Sequence, residues 1–259
     1  MQQQVVLCDL VGTVYTSEGL IPGALDAIDR LRSQGHLLRF ITNTDSKSTT
    51  NLLNDVTGKG VQVGPDELFT PVTAATALIS AEPDARVLAM TTDEVAGQLA
   101  GALNMVDDLS ATHVVVGDVR PRLDYDLLNL AYGALAGGAE LVALQREPYF
   151  LSGGRRHLDT GAIVAALEFA SGKQATVVGK PNPMFVTLAL RSSGVTVESS
   201  NVWMIGDDRF SDVGVGRAAG INTVLVRTGK YADQAHLAGA TEPDHIIDSL
   251  AVFPDLLTK

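Results

Sequence analysis

The chain is poor in the features that mark secreted, membrane-spanning and nucleic-acid-binding proteins. Its single cysteine, Cys8, cannot form an internal disulfide, which excludes a disulfide-stapled fold. No apolar run approaches the roughly 18 residues that suggest a membrane span. Basic residues are few: 19 Lys and Arg stand against 30 Asp and Glu, for a formal net charge of −11, and no Lys/Arg-rich run is present. That balance argues against nucleic acid as a partner. The opening MQQQVVLCDL has no basic stretch and reaches Asp9 after four apolar residues, so it does not read as a signal peptide. Together these absences predict a cytoplasmic protein without a membrane partner. His36, His113, His236 and His245 show no metal-ligand spacing either.

What is present is enough hydrophobic material for a large core, 46% of 259 residues. VVLCDL (5–10) reads as a buried strand emptying into a loop at Gly12. Pro22 then opens a helical pattern with Ala24, Ala27, Ile28 and Leu31 on one face, and Gly35 stops it. HLLRFIT (36–42) is the next strand. Strand, helix and strand with short links predict a parallel α/β sheet. The C-terminal part repeats the pattern. ATVVGK (175–180) reads as a strand and a helix starts at Asn182–Pro183. NVWMIGD (201–207) is a strand with Trp203 expected in the core, a helix follows from Asp212, and TVLVRTG (223–229) is a strand. Between these parts lie strands at 86–90, 113–119 and 140–145 and helices at 124–136 and 161–170. The prediction is one sheet domain, residues 1–77 and 178–259, interrupted by an inserted α/β domain, residues 78–177.

Open parallel sheets bind ligands at the carboxyl ends of their strands. Four predicted strand ends carry polar groups: Asp9, Thr42–Asn43, Lys180 and Asp207. One alone is more often a cap or loop residue. Four together suit phosphoryl chemistry, in which acids hold a hard cation, a lysine offsets phosphate charge, and a hydroxyl and loop amides grip its oxygens.

These motifs resemble those of the haloacid dehalogenase superfamily of aspartate-dependent phosphohydrolases. They are Asp9-Leu10-Val11-Gly12-Thr13-Val14, then Thr42-Asn43 followed by Thr44-Asp45-Ser46-Lys47-Ser48, then Gly179-Lys180-Pro181, and last Met204-Ile205-Gly206-Asp207-Asp208 with Asp212 beyond. IPGALDAIDRLRSQG and AAGINTVLVRTGKY resemble the NagD/4-nitrophenylphosphatase branch. Within it, the chain resembles the phospholysine phosphohistidine inorganic pyrophosphate phosphatases and the hydrolase domain-containing proteins. The resemblance implies a Rossmann-like core with a C2-type cap, Mg²⁺ as cofactor and a small phosphorylated substrate. It makes Asp9 the nucleophile, with Lys180 stabilising charge beside it. Asp9, Asp207 and the main-chain carbonyl of Val11 become the metal ligands, and Thr42 and Asn43 hold the phosphoryl group. Asp208 and Asp212 become supporting acids. Caps of this branch often mediate dimers, so a homodimer is an expected partner state.

Position 11 departs from the pattern. Most phosphatases of the superfamily have a second aspartate there, which protonates the leaving group and activates water. Val11 can do neither, although its carbonyl can still serve a metal. General acid–base help is worth roughly 10²–10⁴ in rate, so the expectation is selectivity for good leaving groups: pyrophosphate, acyl phosphates, phosphoramidates and aryl phosphates. The alternative is an impaired phosphoryl-ligand or protein-binding module. Dehalogenases also lack the second aspartate, but their cap usually follows the first motif. Here only 33 residues separate Asp9 from Thr42, whereas 138 separate Thr42 from Lys180. The expected substrate-contact segment of the cap is a loop, 145–160, in which Arg146 and Tyr149 are substrate-binding candidates. Arg155, Arg156 and His157 are open between contact and solvated surface.

Overall fold

The computed structural model describes residues 2–194, 201–234, 237–239 and 241–258, so His236 lies outside the described residues. The chain divides into two compact units. The first comprises residues 1–42, 53–69 and 180–259; the second comprises residues 43–52 and 70–179. The architecture is α/β throughout, and no described helix is long and apolar enough to cross a membrane.

The first unit is built on a six-stranded sheet whose order is His245–Ile247, Asn222–Val226, Val202–Gly206, Val5–Cys8, Leu37–Ile41 and Leu68–Phe69. Every pairing is parallel. Val5 to Cys8 are all buried, as a central strand covered on both faces requires. From this strand the chain turns to Leu37–Ile41 on one side, while Val202–Gly206 pairs on the other and leads away to Asn222–Val226. The order therefore reverses between Val5–Cys8 and Val202–Gly206. Such a reversal opens a crevice at the carboxyl ends of the strands. Asp9 and Asp207 are the residues that leave those two ends. Register holds them side by side: Cys8 pairs Ile205, and the Asp9 N–H donates to the Ile205 carbonyl at 2.9 Å.

The helix Ala24–Ser33 buries Ala24, Ala27, Ile28 and Leu31, the face read from its spacing. The helix Pro183–Ser192 is capped by Asn182, whose side chain accepts from the Met184 N–H at 2.9 Å, and it buries Phe185, Val186 and Ala189.

The second unit has its own parallel sheet, in the order Thr176–Val177, Glu140–Ala143, His113–Val116, Arg86–Met90 and Asn104–Met105. Leu88, Met90, Val114, Val116, Leu141 and Ala143 pack with Leu135 of the helix Tyr125–Ala136 and with Val164 and Leu167 of the helix Thr160–Ser171.

Three local expectations are corrected. The strand expected over 175–180 is only Thr176–Val177, and it belongs to the second sheet. Val178 continues that ladder by donating to Ala143, and Pro181 has no N–H to give, so Lys180 does not end a strand of the first sheet. The segment 145–160 is largely a hairpin, Tyr149–Ser152 with Arg155–Leu158, not a loop. Its turn is Gly153–Gly154 at φ 55° and 71°, the paired left-handed conformation that glycine favours in two-residue hairpins. Trp203 is half-buried rather than core, and its Nε1 donates to Gln4 Oε1 at 2.9 Å.

Candidate active site

The loop after Val5–Cys8 folds tightly back on itself: the N–H groups of Val14 and Tyr15 donate to the Leu10 carbonyl at 2.9 and 3.2 Å, and Gly12 donates to the Tyr15 carbonyl. This turn carries Val11 outward, where it is 50% exposed, while Asp9, Leu10 and Thr13 stay buried.

Lys180 lies in the first unit and is buried between two acids. Its Nζ donates to Asp9 Oδ1 at 2.5 Å and to Asp212 Oδ1 at 2.6 Å. Burial alone would favour the neutral amine. The charges of Asp212 and Asp9 and the two hydrogen bonds outweigh it and hold the ammonium above the ordinary lysine range. Asp212 Oδ2 also accepts the Asp208 N–H at 3.0 Å, so both of its oxygens are engaged.

Asp207 completes the cluster. Asp9, Asp207 and Asp212 are all buried, and one oxygen from each lies within 4.8 Å of the others. Burial, then the charges of Asp9 and Asp212, push the Asp207 carboxyl well above the usual range. Burial also raises Asp212, to about 7, against the pull of Lys180. Asp208 is different. Burial works against its charge, but Lys230 beside it and the N–H of Ser211 hold it below the ordinary value. Lys230 Nζ donates to Asp208 Oδ2 at 2.9 Å, and its backbone N–H donates to Asp207 Oδ2 at 2.7 Å.

Glycines crowd these carboxylates. A Cβ at Gly12 would fall 2.2 Å from Asp207 Oδ2, one at Gly229 would fall 2.0 Å from it, and one at Gly206 would fall 2.1 Å from Asp212 Oδ2. Gly12 and Gly229 also have φ of 93° and 54°. Such close backbone approach admits only glycine. The donors are oxygens alone, packed closely and short of positive charge, which suits a hard divalent cation of the Mg²⁺ type.

Thr42 is buried in the first unit, one residue beyond the strand Leu37–Ile41. Asn43, Arg146 and Tyr149 belong to the second unit. There Asn43 Nδ2 donates to Glu147 Oε1 at 3.0 Å. Arg146 pairs with Glu168, and the Arg156 guanidinium lies 4.6 Å from the centre of the Tyr149 ring. Arg155, Arg156 and His157 are exposed on the hairpin, with His157 stacked on Phe150. His113 meets Glu82 and Glu140 at 3.6 and 4.0 Å, a grouping made by strand register and invisible in the spacing.

Three residues of these clusters carry no role in the sequence reading, although Asp45 and Lys230 lie within its quoted motifs. Lys230 follows a strand as Asp9 and Asp207 do, and that position was the available signal. Glu147 and Asp45 had none, because their partners lie 104 and 115 residues away.

Comparison with known proteins agrees with this architecture. A haloacid dehalogenase-like hydrolase family model matches residues 6–102, and a HAD-hydrolase-like model matches residues 177–253. The haloacid dehalogenase-like hydrolase domain-containing protein 2 of Bos taurus is 36% identical over 226 residues, 87% of this chain and 85% of that protein. The human phospholysine phosphohistidine inorganic pyrophosphate phosphatase is 31% identical over 260 residues, covering 98% and 94%. Among solved structures, the p-nitrophenyl phosphatase from Archaeoglobus fulgidus superposes with a TM-score of 0.90 at 26% identity, covering 99% of this chain and all of that one. NagD from E. coli K-12 gives 0.84 at 25% identity, covering 97% and 98%.

A parallel core with an inserted α/β cap is the fold of the NagD-like hydrolases. The chain belongs to the haloacid dehalogenase-like hydrolase family.

Proposed function

We propose that this protein is a Mg²⁺-dependent phosphohydrolase that works through an aspartyl-phosphate on Asp9. The observation that carries this reading is the buried bridge from Lys180 to Asp9 and Asp212 with Asp207 beside it. The phosphatase names of the relatives support it. The first unit serves as the catalytic core and the second as the cap.

Asp9 attacks phosphorus, the bond to the leaving atom breaks and that atom keeps the electron pair. Water then attacks the aspartyl-phosphate, restoring Asp9 and releasing inorganic phosphate. Lys180 orients the Asp9 carboxylate and supplies fixed positive charge. Asp9, Asp207 and the Val11 carbonyl would hold Mg²⁺, which neutralises charge on the phosphoryl oxygens. Asp212 keeps Lys180 in place, and Asp208 with Lys230 braces the loop beside Asp207. Thr42 and Asn43 hold the phosphoryl group, and Arg146 and Tyr149 contact the rest of the substrate. The Val11 side chain has no proton to give, which favours aryl phosphates, acyl phosphates, pyrophosphate and phosphoramidates over alkyl esters.

The cap presents Tyr132 and an almost fully exposed Phe169, at 92%, on the paired helices Tyr125–Ala136 and Thr160–Ser171. A homodimer through this face fits an otherwise unexplained apolar surface. The protein acts in the cytoplasm on a small phosphorylated compound.

The deciding experiment is turnover of those five phosphate classes with and without Mg²⁺. Metal-dependent release of phosphate from at least one, lost in Asp9→Asn, is the expected result. The same Val11 supports a second reading, a phosphoryl-ligand or protein-binding module without turnover. Folded protein that binds Mg²⁺ and releases phosphate from none of the classes would establish it.

A further inference from the structure

The second unit contains a closed ring of hydrogen bonds that begins and ends in the segment after Thr42. Asn43 Nδ2 donates to Glu147 Oε1 at 3.0 Å. The Glu147 N–H donates to Gln145 Oε1 at 2.5 Å, and Gln145 Nε2 donates to Asp159 Oδ1 at 2.8 Å. The same Asp159 oxygen accepts the Thr160 N–H at 2.8 Å, where the helix Thr160–Ser171 begins. Thr160 Oγ1 then donates to Asp45 Oδ2 at 2.6 Å, two residues from Asn43.

Asp45, Gln145 and Thr160 are buried and Asn43, Glu147 and Asp159 half-buried, so the Asp45–Thr160 end of the ring is the part shielded from competing water. The backbone holds it from the other side. The Gly161 N–H donates to the Glu147 carbonyl at 3.0 Å, and a Cβ at Gly161 would fall 2.6 Å from the carbonyl oxygens of both Arg146 and Glu147. The helix start and the Glu147 segment are therefore locked in contact.

An asparagine amide has two ends of nearly equal shape, and rotation by half a turn exchanges donor for acceptor. A carboxylate only accepts, so it selects the end that carries hydrogen. We infer that Glu147 is a positioning residue that fixes the amide of Asn43, with the Asp45–Thr160 bond anchoring the same segment to the cap helix. The ring itself stands on geometry; its consequence for turnover rests on the proposed phosphoryl-binding role of Asn43.

The test uses the full-length protein, with p-nitrophenyl phosphate and Mg²⁺ for kinetics and the Asn43 side-chain amide signal in ¹⁵N NMR, assigned by its loss in Asn43→Ser. Glu147→Ala should shift that signal and speed its exchange with solvent. It should also lower kcat/KM by roughly 10- to 100-fold, the loss of one hydrogen bond to a charged group. Glu147→Gln, whose amide oxygen can accept, should restore the signal and most of the rate. Thr160→Val should move the same signal by opening the ring at its far end, and Thr160→Ser should restore it. An Asn43 signal unchanged in Glu147→Ala, or a Glu147→Gln variant as damaged as Glu147→Ala, overturns the inference. Wild-type protein that turns over no phosphate compound would overturn the phosphohydrolase reading instead, and the amide signal would still decide the ring.

Discussion

Two clusters of carboxylates, one in each unit, take their direct hydrogen bonds from different kinds of donor. In the first unit Asp9, Asp207, Asp208 and Asp212 are met by ammonium groups, Lys180 and Lys230, and by backbone N–H groups. In the second, Asp45 is met by a neutral hydroxyl, and Asp159 by an amide and a backbone N–H. Fixed cations oppose the loss of carboxylate charge on burial: Lys230 helps hold Asp208 below the ordinary range, whereas burial and the neighbouring acids keep Asp207 and Asp212 above it. Neutral donors satisfy hydrogen-bonding capacity without adding compensating charge, which suits holding a shape. Burial, reinforced by the charges of Asp159 and Asp118, pushes the Asp45 carboxyl up to about 7 despite the Thr160 bond, as burial does for Asp212 despite Lys180.

The sharpest break of this contrast is Asp9→Asn. The amide fills the same volume but cannot attack phosphorus, so phosphatase activity should fall to background with the fold intact by circular dichroism. Near-wild-type turnover would end the aspartyl-phosphate mechanism. Lys180→Ala comes next. It removes the cation that Asp9 and Asp212 share, and kcat should drop by roughly 10²–10³. A raised KM with unchanged kcat would instead make Lys180 a uniform binding group. The same change leaves buried acids uncompensated, so urea unfolding should show a loss of about 3–5 kcal/mol.

Val11→Asp should act in the other direction. The exposed position can accept a carboxylate without a burial penalty, and alkyl phosphate turnover should rise by up to roughly 10²-fold. Aryl phosphates should gain less in the first step, as burst and steady-state rates will separate. A folded, Mg²⁺-binding variant with no gain on any ester would refute the missing-acid account.

The smallest effect belongs to the second cluster. Asp45 titrates near 4 when unfolded and near 7 when folded, so between those values the native state binds the extra proton. Its contribution to stability is therefore present at low pH and is lost as pH rises through about 7. Asp45→Asn carries no titrating group and should show a shallower fall in urea midpoint between pH 5 and 8 than the wild type. Identical slopes would show that Asp45 keeps an ordinary acidity.

Asp9 and Asp207 were legible as strand-end acids because a run of apolar residues ending in Asp signals both the strand and its exit. The inserted unit was legible because its strands and helices alternate with the same periods as the core. Lys180 was singled out by its motif, but the strand expected to end at it joins the second sheet and stops at Val177, since a short β-rich run does not say which edge it will join. The Gly153–Gly154 turn carried a hairpin signal, while the charged residues around it read as a loop.

Local sequence, then, determined the α/β class, the buried central strands and the identity of the strand-end acids, because apolar periodicity and loop glycines act over a few residues. Only the tertiary structure decided that Lys180 bridges Asp9 and Asp212, that Lys230 braces Asp207 and Asp208, and that Glu147 holds Asn43. Each of those bonds except the short span from Lys230 joins residues more than 30 positions apart. A carboxylate offers the same donor-free oxygens to any lysine or amide in the chain, so its partner is chosen by the register and packing that bring one of them within 3 Å.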